Sequence, residues 1–228
     1  MIRHIKNFTN KAVSAVIPTL WKSYSELAYW KKRKKEEGEF SNDHYSFFYT
    51  THFDFSLNDY AGKRIIDIGC GPRGSLEWAQ NASERIGLDP LADKYLSLGA
   101  DKHQMQYVSS ASENIPFQDS HFDITCSFNS LDHVENVEKS IAEIKRITKP
   151  GGYFLLLVEI NHEPTNCEPH ELTPGIIENF KPDFECDLLR VYPSVEGGLY
   201  NSIQASEPVA DPFQHEGPGW LSAKFTKR

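Results

Sequence analysis

The sequence predicts an open, mostly parallel α/β sheet with helices on both faces. Short apolar runs alternate with helical stretches from Gly62 onward, a glycine-rich loop follows the first run, and two late apolar segments flank a glycine pair. Short buried strands alternating with helices imply parallel pairing through right-handed crossovers. The strand candidates are Arg64–Ile68, Arg85–Leu88, Gln106–Val108, Phe122–Phe128 and Tyr153–Ile160. Helical stretches fall near Ser75–Ala82, Ala92–Leu98 and Val137–Thr148, and Lys149-Pro150-Gly151-Gly152 stops the last. Glu185–Tyr192 and Leu199–Ala205, on either side of Gly197-Gly198, read as an antiparallel C-terminal hairpin.

Around that body the chain divides into three expected parts. Residues 1–60 read as a helical and aromatic arm, 61–207 as the α/β domain, and 208–228 as an irregular tail with three prolines. In the arm, Val13, Val16, Ile17 and Leu20 have helical spacing broken by Pro18, and a second helical stretch leads through Leu27 and Trp30 into Lys31-Lys32-Arg33-Lys34-Lys35-Glu36-Glu37. An aromatic run follows, His44-Tyr45-Ser46-Phe47-Phe48-Tyr49, then Phe53 and Phe55. Such density reads as packing onto the main domain, or as a roof over a ligand, with Tyr45 and Tyr49 placed to close it.

Composition narrows the function classes. The 228 residues are 39% hydrophobic and 12% aromatic, enough for a sizeable core. The longest apolar run, Tyr153 to Val158, is far short of the ~20 residues of a spanning helix. Four widely spaced cysteines form no CxxC pair, and no signal peptide is evident, so a reducing, cytoplasmic setting is expected. The net charge of −8 is uneven: residues 1–35 hold nine Lys or Arg against one Glu, which leaves −16 on the rest. An acidic body argues against nucleic acid as a partner. The basic arm reads as a solvated helix face, or as a peripheral contact with an anionic lipid or lipid-linked partner.

The sharpest local signal is Ile65-Ile66-Asp67-Ile68-Gly69-Cys70-Gly71-Pro72-Arg73-Gly74, a strand running into a GxGxxG loop. Glycines belong where a ligand presses on backbone and a Cβ would block it. Asp89, twenty residues after Gly69 at the end of the next strand, is placed to accept both ribose hydroxyls of a nucleoside. A dinucleotide and S-adenosylmethionine both fit this pattern. Asp67 favours the second, because a carboxylate beside a pyrophosphate is repulsive whereas a sulfonium and an ammonium attract it. It can also brace the loop.

From Gly62 to about Ala205 the chain resembles the class I S-adenosylmethionine-dependent methyltransferases of the small-molecule type. The resemblance rests on the glycine loop, Gly87-Leu88-Asp89, Ser112-Glu113-Asn114-Ile115-Pro116-Phe117, Phe122-Asp123-Ile124, Leu131-Asp132-His133-Val134 and the Lys149-Pro150-Gly151-Gly152 turn, in that order. It implies a seven-stranded sheet ending in an antiparallel pair. It also implies S-adenosylmethionine as cofactor, with S-adenosylhomocysteine as product. Gly69, Cys70, Gly71 and Gly74 would line the methionine part, Arg73 would reach its carboxylate, and Asn129 would meet its ammonium. Asp89 would hold the ribose, with Pro90 against the adenine and Ala111, Ser112 and Glu113 at the adenine edge. The sequence departs from the family at Ala111, where an acid is common, so adenine recognition would fall to backbone groups or to Glu113.

Methyl transfer to a hydroxyl needs a base near neutral pKa, and His133, just past the fourth strand, is the candidate catalytic residue. The segment after the fifth strand carries Glu159, His162, Glu163, Cys167, Glu168 and His170. Its spacing matches no common zinc pattern, so no metal is expected, and His162 or His170 is read as contacting the acceptor. The expected function is methylation of a small-molecule acceptor, a hydroxyl of a sugar or another metabolite. A nicotinamide-type oxidoreductase and a non-catalytic S-adenosylmethionine-binding protein stay open.

Overall fold

The structure, a computed structural model, describes residues 21–228. The helical pattern around Val13 to Leu20 lies outside the described residues. The chain forms two compact units that divide between Phe40 and Ser41. In the first, residues 21–37 form helix α1, whose charge run pairs with itself: Lys32 with Glu36 at 3.8 Å and Arg33 with Glu37 at 2.5 Å. These are i,i+4 pairs on a solvated face.

The second unit is built on seven strands: β1 (Arg64–Ile68), β2 (Glu84–Asp89), β3 (Gln106–Ser109), β4 (Phe122–Phe128), β5 (Thr148–Ile160), β6 (Phe184–Pro193) and β7 (Gly219–Lys227). Their order is β3-β2-β1-β4-β5-β7-β6. Neighbours pair parallel from β3 to β5, and β7 pairs antiparallel with both β5 and β6. The expected mostly parallel sheet with an antiparallel end is therefore present. Alternation along β5 divides the core: Phe154, Leu156, Val158 and Ile160 face one apolar cluster, Leu155 and Leu157 the other.

One face is covered by a helix, α4 (Val137–Ile147), through Val137, Ile141, Ile144 and Ile147. Its N-terminus is capped by Asn136, whose side chain accepts from the Lys139 N–H at 2.8 Å. The other face is covered largely by the aromatic segment. Short helix α2 (Tyr45–Tyr49) and the turns after it bury Tyr45, Phe48, Tyr49, Phe53 and Tyr60. The domain boundary expected at residue 60 therefore moves to residue 40. The physical reason is area: five large aromatic side chains bury themselves in one apolar cluster with Ile65, Ile124, Leu155 and Leu157 of the sheet.

Two local expectations are corrected. Ser75–Ala82 is not a helix but a succession of turns. Ala92–Leu98 does start helical, as α3 (Ala92–Tyr95) followed by a 3₁₀ turn. The second correction concerns the hairpin. Leu199–Ala205 lies within helix α5 (Gly198–Ala205), because buried Leu199, Ser202 and Ile203 recur at helical spacing. The true partner of β6 is β7, inside the tail expected to be irregular. Leu221, Ala223 and Phe225 alternate there and are at most 1% exposed.

Candidate active site

The sheet order reverses between β1 and β4, so the loops leaving their C-terminal ends diverge and open a crevice. Five loops leave this edge, those after β1, β2, β3, β4 and β5. After β1 the chain turns at Gly69 with φ +74°, a left-handed conformation. A Cβ on Gly69 would lie 2.2 Å from that of Ser130, so glycine is required twice over. Ser130 also donates to the Ile68 carbonyl at 2.8 Å, which fastens the loop after β4 to the glycine loop.

Asp67 is 2% exposed. Its Oδ2 accepts from Tyr49 Oη at 2.8 Å and from Ser75 Oγ at 2.5 Å, while Oδ1 is buried with no hydrogen-bond partner. Burial pushes its pKa up to about 7, and the Ser75 and Tyr49 bonds oppose that rise. A buried carboxylate oxygen with nothing to accept suits a cationic ligand and opposes a phosphate. Tyr49 thus does not roof the site; it packs in the core and braces Asp67. Tyr45 is buried beside Tyr49 and Tyr200. Arg73 is half-buried, and its positive charge lowers the pKa of Tyr45 against the larger upward effect of burial.

At the end of β2, Asp89 accepts from the Leu91 N–H at 2.8 Å and the Gly71 N–H at 3.3 Å. It therefore ties the glycine loop to the second strand and presents a preorganised carboxylate there. Cys70 is buried against Gly87, where an added Cβ would lie 2.7 Å from its sulfur. Pro90 is exposed, and its carbonyl accepts from Ser109 Oγ at 3.2 Å. Ala111 is exposed, Ser112 is buried on Ser140 at 2.7 Å, and Glu113 accepts from the Glu135 and Asn136 N–H groups. Glu113 is thus engaged with the backbone leading into α4. Asn129 is exposed at the end of β4 with φ +53°, a conformation asparagine tolerates.

Beyond Ser130 lies a group the sequence displayed only in part. Asp132 is fully buried, and neither carboxylate oxygen has a hydrogen-bond partner. His133 Nε2 stands 3.8 Å from Asp132 Oδ2 and 3.6 Å from Glu168 Oε1. His162 Nε2 stands 3.7 Å from Asp132 Oδ2. Burial raises the Asp132 pKa to about 7; its own backbone N–H and His162 oppose the rise, and Glu168 and Glu159 add to it. The loop after β5 is held in place by His170, paired with the Val134 carbonyl at 2.9 Å. His170 thus anchors the loop, whereas His162 faces the cluster. Asp132 was legible only as part of a motif, and its role depends on a loop thirty residues away.

A family model described as a methyltransferase domain matches residues 66–156. Residues 66–156 thus carry a methyltransferase domain. Among curated relatives it is 30% identical over 118 residues to a sterol 4-C-methyltransferase of Caenorhabditis elegans, covering 47% of this chain and 35% of that protein. It is 27% identical over 110 residues to a fatty-acid O-methyltransferase of Mycolicibacterium smegmatis, covering 46% of this chain and 40% of that one. The chain thus spans well under half the length of these relatives. An S-adenosylmethionine-dependent methyltransferase structure from Mesorhizobium loti superposes with a TM-score of 0.57 at 19% identity, covering 75% of this chain and 95% of that one, which shows the shared fold. S-adenosylmethionine is the cofactor that this family and fold imply. The buried Oδ1 of Asp67, the glycine cradle and the carboxylate of Asp89 fit it. Asp67, Gly69, Cys70, Gly71, Arg73 and Gly74 would hold its methionine part, and Asp89 its ribose.

Proposed function

We propose that this protein methylates a hydroxyl of a small lipid or lipid-linked acceptor. The observation that carries this reading is the Asp132–His133–His162–Glu168 group, set on the loops after β4 and β5 and joined to the cofactor loop through Ser130. When bound, S-adenosylmethionine would supply a methyl group on a sulfonium, whose C–S bond would be exchanged for a C–O bond to the acceptor with a neutral thioether left behind. The chain's own residues have two tasks. The glycine loop, Asp67 and Asp89 position the methyl donor, and positioning supplies much of the barrier reduction in an in-line displacement. The group around Asp132 receives the hydroxyl proton, with His133 as its most accessible imidazole, 28% exposed.

The lipid part of the proposal draws on two independent features. Relatives named for sterol and fatty-acid substrates share the domain. Helix α1 exposes Trp21, Tyr24 and Tyr29 beside its lysines, the amphipathic chemistry of a peripheral contact with a lipid headgroup layer. Among the described residues no helix is long and apolar enough to cross a membrane. The test is transfer of labelled methyl from S-adenosylmethionine to hydroxylated lipids, lipid-linked sugars and free sugars. Product carrying an O-methyl group, with kcat lowered about 100-fold or more in His133→Ala, is expected. Methylation confined to nitrogen or carbon, or undiminished turnover in the variant, would overturn the hydroxyl reading.

A further inference from the structure

We propose that Asp132, His133, His162 and Glu168 form a binding site for a divalent transition cation, with zinc its best fit. The first reason is distance. The separations of 3.8, 3.6 and 3.7 Å within the group are too long for hydrogen bonds, which run to about 3.2 Å. A tetrahedral cation with bonds of about 2.0–2.1 Å sets its ligand atoms about 3.4 Å apart, so each of these three separations is within a few tenths of an ångström of that spacing. Ligand atoms of Asp132, His133 and Glu168 lie within 4.8 Å of one another, and His162 Nε2 stands 3.7 Å from the same Asp132 oxygen that His133 approaches.

The second reason is independent of spacing. The Asp132 side chain is 1% exposed and the His162 side chain 9%, yet both Asp132 oxygens and His162 Nε2 lack a hydrogen-bond partner. Burying three such atoms side by side is costly, and a shared cation satisfies all three. His162 is already oriented for it, because Nδ1 lies 3.0 Å from the Glu163 carbonyl. Donation there leaves Nε2 as the lone-pair nitrogen, the arrangement found at metal-ligating histidines. Two imidazoles with two carboxylates favour zinc or manganese over magnesium, which prefers oxygen ligands and its own waters.

This site was invisible to motif spacing because its ligands are shared between two loops rather than gathered in residues 159–170. Its use in methyl transfer rests on the proposed hydroxyl chemistry. There the cation would polarise the acceptor hydroxyl and ease loss of its proton.

The test is calorimetric titration of chelator-stripped full-length protein with Zn²⁺ or Mn²⁺ alone, supported by the visible spectrum of added Co²⁺. One saturable site is expected, weakened at least about tenfold in Asp132→Asn and in Glu168→Gln and unchanged in His121→Ala, at the opposite end of β4. Glu168 is partly exposed, so its variant remains informative if Asp132→Asn fails to fold. Absence of saturable binding by Zn²⁺ and Mn²⁺, or binding that survives both ligand variants, would overturn the site. S-adenosylhomocysteine is titrated into the same samples: its binding without metal binding removes the cation site alone, and the reverse removes the methyltransferase reading alone.

Discussion

At the scale of single residues, Asp67 makes the most specific electrostatic prediction. Its folded pKa of about 7 lies above the ordinary 3.8, so the fold favours the neutral carboxyl. Stability from this group is complete below about pH 4 and is lost as pH rises through 7, by at most about 4 kcal/mol. Asp67→Asn should therefore raise the melting temperature of ligand-free protein at pH 8 and leave it nearly unchanged at pH 4. Ligand binding runs the other way, because an ammonium prefers the ionised form. Affinity for S-adenosylhomocysteine should climb between pH 6 and pH 8 in the natural protein and stay flat in Asp67→Asn. Gly69→Ala should cost both stability and binding, since the new methyl group meets Ser130 at an impossible distance; urea denaturation and calorimetry read the two losses. These residues were legible because a tight turn and a strand-end acid are local chemistry. Asp132 and His162 were not, because their meaning arises from proximity of segments thirty residues apart.

At the scale of elements, β1 to β5 were readable because buried parallel strands are short apolar runs with few alternatives. The C-terminal third was harder. Leu199–Ala205 mixes apolar and polar residues in a pattern that serves either period, and packing against the sheet decided for a helix. The alternation of Leu221, Ala223 and Phe225 was overshadowed by the prolines before it. That strand is central, paired on both edges by β5 and β6. Phe225 packs within about 6 Å of Phe154, Phe180 and Phe184. Phe225→Ala should cost about 3–5 kcal/mol in urea denaturation, as for a fully buried aromatic. A cost below about 1 kcal/mol would mean that the last strand is peripheral to the fold.

At the scale of the whole molecule, the sheet topology was predictable and the placement of the aromatic segment was not. Charge and aromatic density marked residues 1–60 as distinct, but only tertiary packing separates the basic helix from the aromatic cover at Phe40 and Ser41. A version beginning at Ser41 should keep a single cooperative unfolding transition and its S-adenosylhomocysteine binding, since the second unit has its own core. Loss of cooperativity would show that the helix is part of that core. The central claim is the methyl-donor site at the β1–β4 crevice, and calorimetric titration with S-adenosylhomocysteine tests it most directly. Saturable one-to-one binding is predicted, weakened by about 1.5–3 kcal/mol in Asp89→Ala through loss of charge-assisted hydrogen bonds, with no heat from NAD. Binding of NAD in preference to S-adenosylhomocysteine would contradict it.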